Sequence, residues 1–215
     1  MLAGPRYSAI AIVQVPIRTS LALRKVISGG QTGVDRGALD AALSLRFACG
    51  GACPAHRRAE DGAVPTRYPV IELPGAGYRQ RTLRNVLDSH ATALLHRGRL
   101  TGGSLLAARY CARYSRPVCT IDASRYPAPR AARCLKAFCA RHAVQVLNVA
   151  GPRASAWRDG RKYSRDTISA LLRLKPARRR QRRRPRIRPG VPVRYRASRR
   201  CRIGAECALV PSPCK

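Results

Sequence analysis

RKVISGGQTGVDRGALDAALSLR, residues 24–46, decides the fold. KVISG (25–29) reads as a short buried strand, and DRGALDAALSLR (35–46) as a helix with Leu39, Ala42 and Leu43 on one face. Between them Gly29, Gly30 and Gly33 let the backbone take positive φ and approach a ligand with no Cβ in the way. Where a strand ends and a helix begins, free backbone N–H groups and the positive helix end point at one spot, which binds phosphate or another oxyanion. Gln31 and Thr32 add neutral donors, and Arg36 either pairs with a phosphate or is exposed. Asp35 is either the helix N-cap, which its position favours, or a ligand to a ribose hydroxyl or a metal. The pattern is neither GxGxxG nor GxxxxGK[ST], so it is neither a dinucleotide fingerprint nor a Walker loop.

The same alternation continues along the chain. PVIEL (69–73), ATALLH (91–96), PVCTID (117–122) and VQVLNVAG (144–151) read as strands. Helices fall at 79–89, with Leu83, Val86 and Leu87 at helical spacing, and at 105–115, 130–142 and 163–174. Parallel strands need a crossover between them, so this order predicts an α/β fold, a parallel sheet with helices on both faces. It assigns residues 24–174 to the domain, 1–23 to an N-terminal extension and 175–215 to an Arg/Pro-rich tail. PARRRQRRRPRIRPG (176–190) can neither bury a core nor sustain a helix, so disorder is expected there.

The formal net charge of +33 is unevenly spread: 26 basic residues face 9 acidic ones in 24–174, and 15 face 1 in the tail. Such an excess favours anionic partners, whether nucleotides, phosphorylated cofactors or nucleic acid bound non-specifically by the tail. The bland alternative is a solvated basic face. The nine cysteines lack disulfide or zinc-finger spacing, and several lie in apolar stretches, so a reduced, cytoplasmic protein without a metal site is expected. No stretch reaches the roughly 20 apolar residues of a membrane span, and SAIAIVQVP (8–16) reads as an extra strand or loose extension rather than a signal peptide.

LTGGSLLAA (100–108) repeats the logic of the first turn: strand end, Gly102-Gly103, the hydroxyls of Thr101 and Ser104, then a helix. Two such turns at the carboxyl ends of parallel strands open on one crevice. A third polar cluster comprises Arg57, Arg58, Glu60 and Asp61 in the long loop 50–65, with Arg79, Arg81 and Asn85 beyond it. Long loops in small domains are functional or disordered. Glu60 and Asp61 are candidate acid/base groups or metal ligands, or they pair with nearby arginines; no Ser-His-Asp set is present.

SGGQTGVDRGALDAAL, GGACPAHRRAEDGAVPTRYP, YRQRTLRNVLDS, LTGGS and VLNVAGPR together resemble the putative molybdenum carrier family, also described as a circularly permuted YpsA-like branch of the SLOG (lysine-decarboxylase-like, Rossmann-type) superfamily. The resemblance covers residues 24–174. It implies a Rossmann-like fold, a homo-oligomer and a phosphorylated small-molecule ligand, either molybdenum cofactor (molybdopterin) or a related nucleotide. It also implies a pocket with Gly29, Gly30, Gln31, Thr32, Gly33, Asp35 and Arg36 on one side and Thr101, Gly102, Gly103 and Ser104 on the other. Arg57, Arg58, Glu60 and Asp61 would close over it. The chain departs from the family at Ala52, where Trp is usual, at Ala55-His56, where Lys-Gly is usual, and at His90, where an acid is common. The absence of a glutamate from 104–110 argues against the reaction of the related phosphoribohydrolases. The leading expectation is a non-catalytic carrier. The alternatives are a nucleotide or nucleoside-phosphate hydrolase using Glu60 or Asp61, and nucleic-acid binding through the tail.

Overall fold

The computed structural model describes residues 23–174; the rest of the expected N-terminal extension and the expected basic tail lie outside the described residues. In chain order the elements are β1 (Lys25–Ile27), α1 (Val34–Ser44), β2 (Cys49–Gly50), β3 (Ala52–Cys53), a 3-10 turn (Ala55–Arg57), β4 (Arg58–Ala59), β5 (Gly62–Ala63) and β6 (Ile71–Glu72). There follow α2 (Tyr78–Leu87), β7 (Ala91–His96), α3 (Gly102–Arg113), β8 (Val118–Asp122), α4 (Ala128–Arg141), β9 (Val146–Ala150) and α5 (Gly160–Arg173).

Five strands form one sheet in the order β2-β1-β9-β7-β8, with every pairing parallel. The last strand in sequence, β9, is central in space, inserted between β1 and β7. Strand side chains alternate between faces. Ala91, Ala93 and Leu95 of β7 and Leu147 and Val149 of β9 enter one core with residues of α1, α4 and α5. The intervening Thr92, Leu94 and Asn148 point to the other face, where α2 packs on α3. The Rossmann-like α/β architecture expected from the alternation is therefore present. Among the described residues no helix is long and apolar enough to cross a membrane.

Several local expectations change. The expected single apolar face of α1 is two faces. Ala38, Ala41 and Ala42 join the main core, whereas Leu39 turns to a second cluster with Cys53, Ala59, Val64, Tyr68 and Val70. Leu43 is left exposed. That second cluster explains why residues 50–65 are not an open loop: they fold over Leu39 and carry the antiparallel β4–β5 hairpin. The expected strand 69–73 shrinks to β6, which pairs with β3 outside the main sheet. The guanidinium of Arg57 donates to four carbonyl oxygens, those of Val64, Pro65, Tyr68 and Val70, at 2.9–3.1 Å, and so holds this segment from inside. At His56 the chain takes φ +58°, a conformation glycine favours.

Helix α2 also departs from expectation. Val86 is buried, but Leu87 is exposed, and the buried neighbour is polar, Asn85. Its carboxamide accepts the Ala52 N–H at 2.8 Å and donates to the Ala52 carbonyl at 3.0 Å, acting as a strand partner for β3. We expect Asn85→Leu to cost about 1–3 kcal/mol through two unpaired buried backbone groups, measured by urea unfolding; a loss below half a kcal/mol, on the order of a surface change, would contradict this role.

Candidate functional site

From β1 the chain runs through α1 to one edge of the sheet, and from β7 through α3 to the other. The loops after β1 and β7 thus diverge above the carboxyl end of β9, where open α/β sheets leave a crevice. A cleft of about 440 Å³ opens there. Its walls are Gly29, Gln31 and Asp35 of the first turn, Tyr78, Arg79, Arg81 and Thr82 of α2, residues 101–104 before and within α3, and Asn148 with residues 150–153 after β9.

The two glycine-rich turns are brought together but differ in state. At the first, Gly33 is the N-cap of α1 with φ +76°, and a Cβ there would strike the backbone of residues 152–154. Three of the N–H groups around it are engaged, while those of Gly29, Gly30 and Gly33 take no partner among the described residues. Gln31 N–H donates to the Asp35 carboxylate at 3.3 Å, Thr32 N–H to the Gln31 side-chain carbonyl at 3.0 Å, and Val34 N–H to Pro152 O at 3.2 Å. The second turn is open. Thr101 caps α3 through its carbonyl, which accepts from Ser104 and Leu105, while the Gly102 and Gly103 N–H groups take no partner among the described residues. Both turns thus leave backbone N–H groups without partners among the described residues, and at the second turn these are the first two of helix α3.

Asp35 is not the N-cap that its position favoured. It sits in the first turn of α1, nearly inaccessible, and forms an ion pair at 2.9 Å with Arg81. Burial pushes its carboxyl above the usual value, against the pull of Arg81 and the Gln31 N–H. Arg81 lies over Gly29, where any Cβ would collide with the guanidinium. The Nε of Arg81 is buried and takes no hydrogen bond.

The residues expected to close over the pocket stand beside it instead. Arg57 is engaged with the carbonyls named above, and Arg58 stacks on the Tyr78 ring at 5.2 Å. Arg36 makes a two-pronged pair with Asp61 at 2.6 and 2.7 Å and also donates to Gly30 O. Glu60 accepts from the Thr32 and Ser155 hydroxyls and the Ser155 N–H, with Arg153 at 3.3 Å. Neither Glu60 nor Asp61 lines the cleft. Burial alone would raise Glu60, but these hydrogen bonds and the Arg153 charge outweigh it and hold the carboxyl below its usual value. Asp61 is lowered chiefly by its hydrogen bonds from Arg36. The Thr32 hydroxyl, expected as a ligand donor, serves this latch and accepts the Ala154 N–H at 3.1 Å.

Comparison with known proteins agrees with this architecture. Residues 26–172 match the family described as the circularly permutated YpsA SLOG family. The chain belongs to that family. The SLOG domain is also similar to the crystal structure named "Putative molybdenum carrier protein" from Syntrophus aciditrophicus SB, with 40% identity, a TM-score of 0.68, and coverage of 70% of this chain and 96% of that one. Comparison with the curated proteins gives no match.

Within the SLOG domain, sequence reasoning marked Arg79 and Arg81 as conspicuously polar without placing them in the pocket, and gave no role to Tyr78, Thr82, Asn148 or Arg153. Asn148 had a legible signal: it is the polar residue inside an otherwise apolar strand, on the face opposite Leu147 and Val149.

Two outcomes follow from these contacts. Arg81→Met should lower stability by about 3–5 kcal/mol, because it leaves the Asp35 carboxylate buried and unpaired; adding Asp35→Leu should recover part of that loss, and a double variant worse than the single one would contradict the pairing. Because Glu60 and Asp61 are both lowered, their latches contribute above the ordinary carboxylate range and are lost as pH falls through the lowered values. The unfolding free energy of Glu60→Gln should therefore vary less than wild type below about pH 5, measured by denaturation at a series of pH values, with curves parallel to wild type as the contrary result.

Proposed function

We propose that this protein is a non-catalytic carrier that binds a phosphorylated cofactor or nucleotide-like ligand in the cleft between residues 29–35 and 101–104, with molybdenum cofactor (molybdopterin) as the leading cargo. The observation that carries the reading is the open α3 end, with its two unpartnered N–H groups, facing Arg79, Arg81 and Arg153 in one cleft. These groups favour an anion without offering a reacting residue. The cleft volume lies within the ordinary range for small-molecule sites. The name of the similar Syntrophus aciditrophicus protein supports molybdenum carriage by this chain.

The donor set fits a pterin phosphate. The phosphate would sit at Gly102 and Gly103, with the arginines neutralising its charge and the cofactor's own sulfur atoms holding the molybdenum. Among the described residues no group of three or more His, Cys, Asp or Glu is placed to hold a metal ion, so the metal would arrive with its organic ligand. A hydrolase working through Glu60 or Asp61 is less well supported, since both carboxylates are committed to the latches outside the cleft.

A ligand present at one hundred times its Kd should stabilise the full chain by about 2.7 kcal/mol, seen as a thermal shift that shrinks as salt rises. Gly103→Asp separates the cleft from the rest of the basic chain, because a Cβ at 103 meets nothing within 4 Å. We expect this variant to fold as wild type and to lose at least about tenfold in affinity for molybdopterin or nucleoside monophosphates, through like-charge repulsion. An unaltered affinity would place binding elsewhere, and no shift with molybdopterin, molybdate or nucleotides would remove the carrier reading.

A further inference from the structure

The cleft floor holds one polar group that the anion site leaves unexplained. Asn148 lies in β9, the central strand, and is only 2% exposed, yet it lines the cleft. Its cross-strand neighbour in β7 is Thr92, and the Asn148 Nδ2 donates to the Thr92 hydroxyl at 3.2 Å. Thr92 in turn hydrogen-bonds the Cys111 thiol of α3. The bond to Thr92 ties down the Nδ2 half of the carboxamide. Its Oδ1 receives no hydrogen bond from any described residue.

The other buried asparagine shows what a structural role looks like. Both polar atoms of the Asn85 side chain are engaged, by the two backbone groups of Ala52. Asn148 has one half of its amide tied down and the other half available at the cleft. Asn148 Oδ1 is not one of the fully enclosed side-chain atoms left without a partner, so it opens on the cleft, where a ligand or water supplies its donor. A bare tetrahedral anion held at Gly102 and Gly103 would leave most of the 440 Å³ unfilled.

We propose that the Asn148 Oδ1 accepts a hydrogen bond from an N–H or O–H on the ring portion of the ligand, and that the cleft thereby selects a phosphate attached to a nitrogen heterocycle or its sugar over a free oxyanion. The inference rests on the anion-binding reading above and extends it to the far end of the ligand. Asn148 is then a specificity-determining residue, and the open turn of α3 supplies affinity common to every anion.

The test is calorimetric titration of the full chain with inorganic phosphate, molybdate, AMP, GMP and neopterin phosphate. At least one ring-bearing phosphate should bind about tenfold or more tightly than inorganic phosphate, an advantage of the size one well-placed hydrogen bond and ring burial supply. Asn148→Ala should abolish that advantage while leaving the affinity for inorganic phosphate unchanged, and unchanged phosphate binding also shows that the variant is folded. Should Asn148→Ala bind nothing, Asn148→Ser, which keeps an uncharged acceptor oxygen at this position, decides: it should retain part of the advantage of the ring-bearing ligand. Equal affinity of the wild type for phosphate and every ring-bearing phosphate overturns the inference and leaves the anion site standing. A parallel loss of all ligands in both variants overturns it too. Failure of every probe to bind the wild type removes the anion site and this inference with it.

Discussion

The cleft depends on one buried ion pair, Asp35 with Arg81. Asp35 belongs to the first turn of α1 and Arg81 to α2, and these helices lie on opposite faces of the sheet. The pair bridges the crevice between them just above the end of β1. It is possible only because residue 29 is glycine, which lets the guanidinium lie flat against the chain. Such a pair is poor at raising stability, since two charges must leave water. Its role is geometric: it fixes how far apart the two walls stand, with the Arg81 Nε buried and without a hydrogen bond.

The two glycine-rich turns look alike in sequence and act differently in space. The first is tied inward at Gln31, Thr32 and Val34, whose N–H groups are taken by Asp35, Gln31 and Pro152, so it serves as scaffold and wall. The second is satisfied only from behind, by the Thr101 carbonyl, so its leading N–H groups face the opening. In the proposed binding mode the first turn would orient the ligand and the second would recognise its charge.

The fold was largely legible because period-2 and period-3.6 apolar patterns reflect burial directly. β7 reads as 91–96 in sequence and forms there, since all six of its residues are buried. Legibility failed where a polar side chain replaces a backbone or apolar partner. Asn85 stands in for a strand, Arg57 for the core of a loop, and Leu39 and Ala42 of one helix serve different clusters. None of these leaves a periodic trace. The site was half legible. Glycines announce close backbone approach, so 29–33 and 101–104 stood out, whereas the direction of Glu60, Asp61 and Arg36 depends on partners up to 95 residues away, such as Ser155. The family resemblance implied Glu60 and Asp61 over the pocket and Arg36 on its wall; their pairing with Ser155, Arg153 and each other sets them beside it.

The central position of the last strand bears on how this protein comes into being. β9 separates β1 from β7, and its partner Lys25 lies 121 residues before Val146 in the chain. A growing polypeptide therefore first yields two half-sheets, β2-β1 and β7-β8, with no hydrogen bond joining them. Only when residues 146–150 emerge do the halves become one sheet, and closure across so long a separation is slow. The floor of the cleft arrives with that same strand. Asn148 and residues 150–153, which line the cleft, therefore take their places only when β9 joins the two halves.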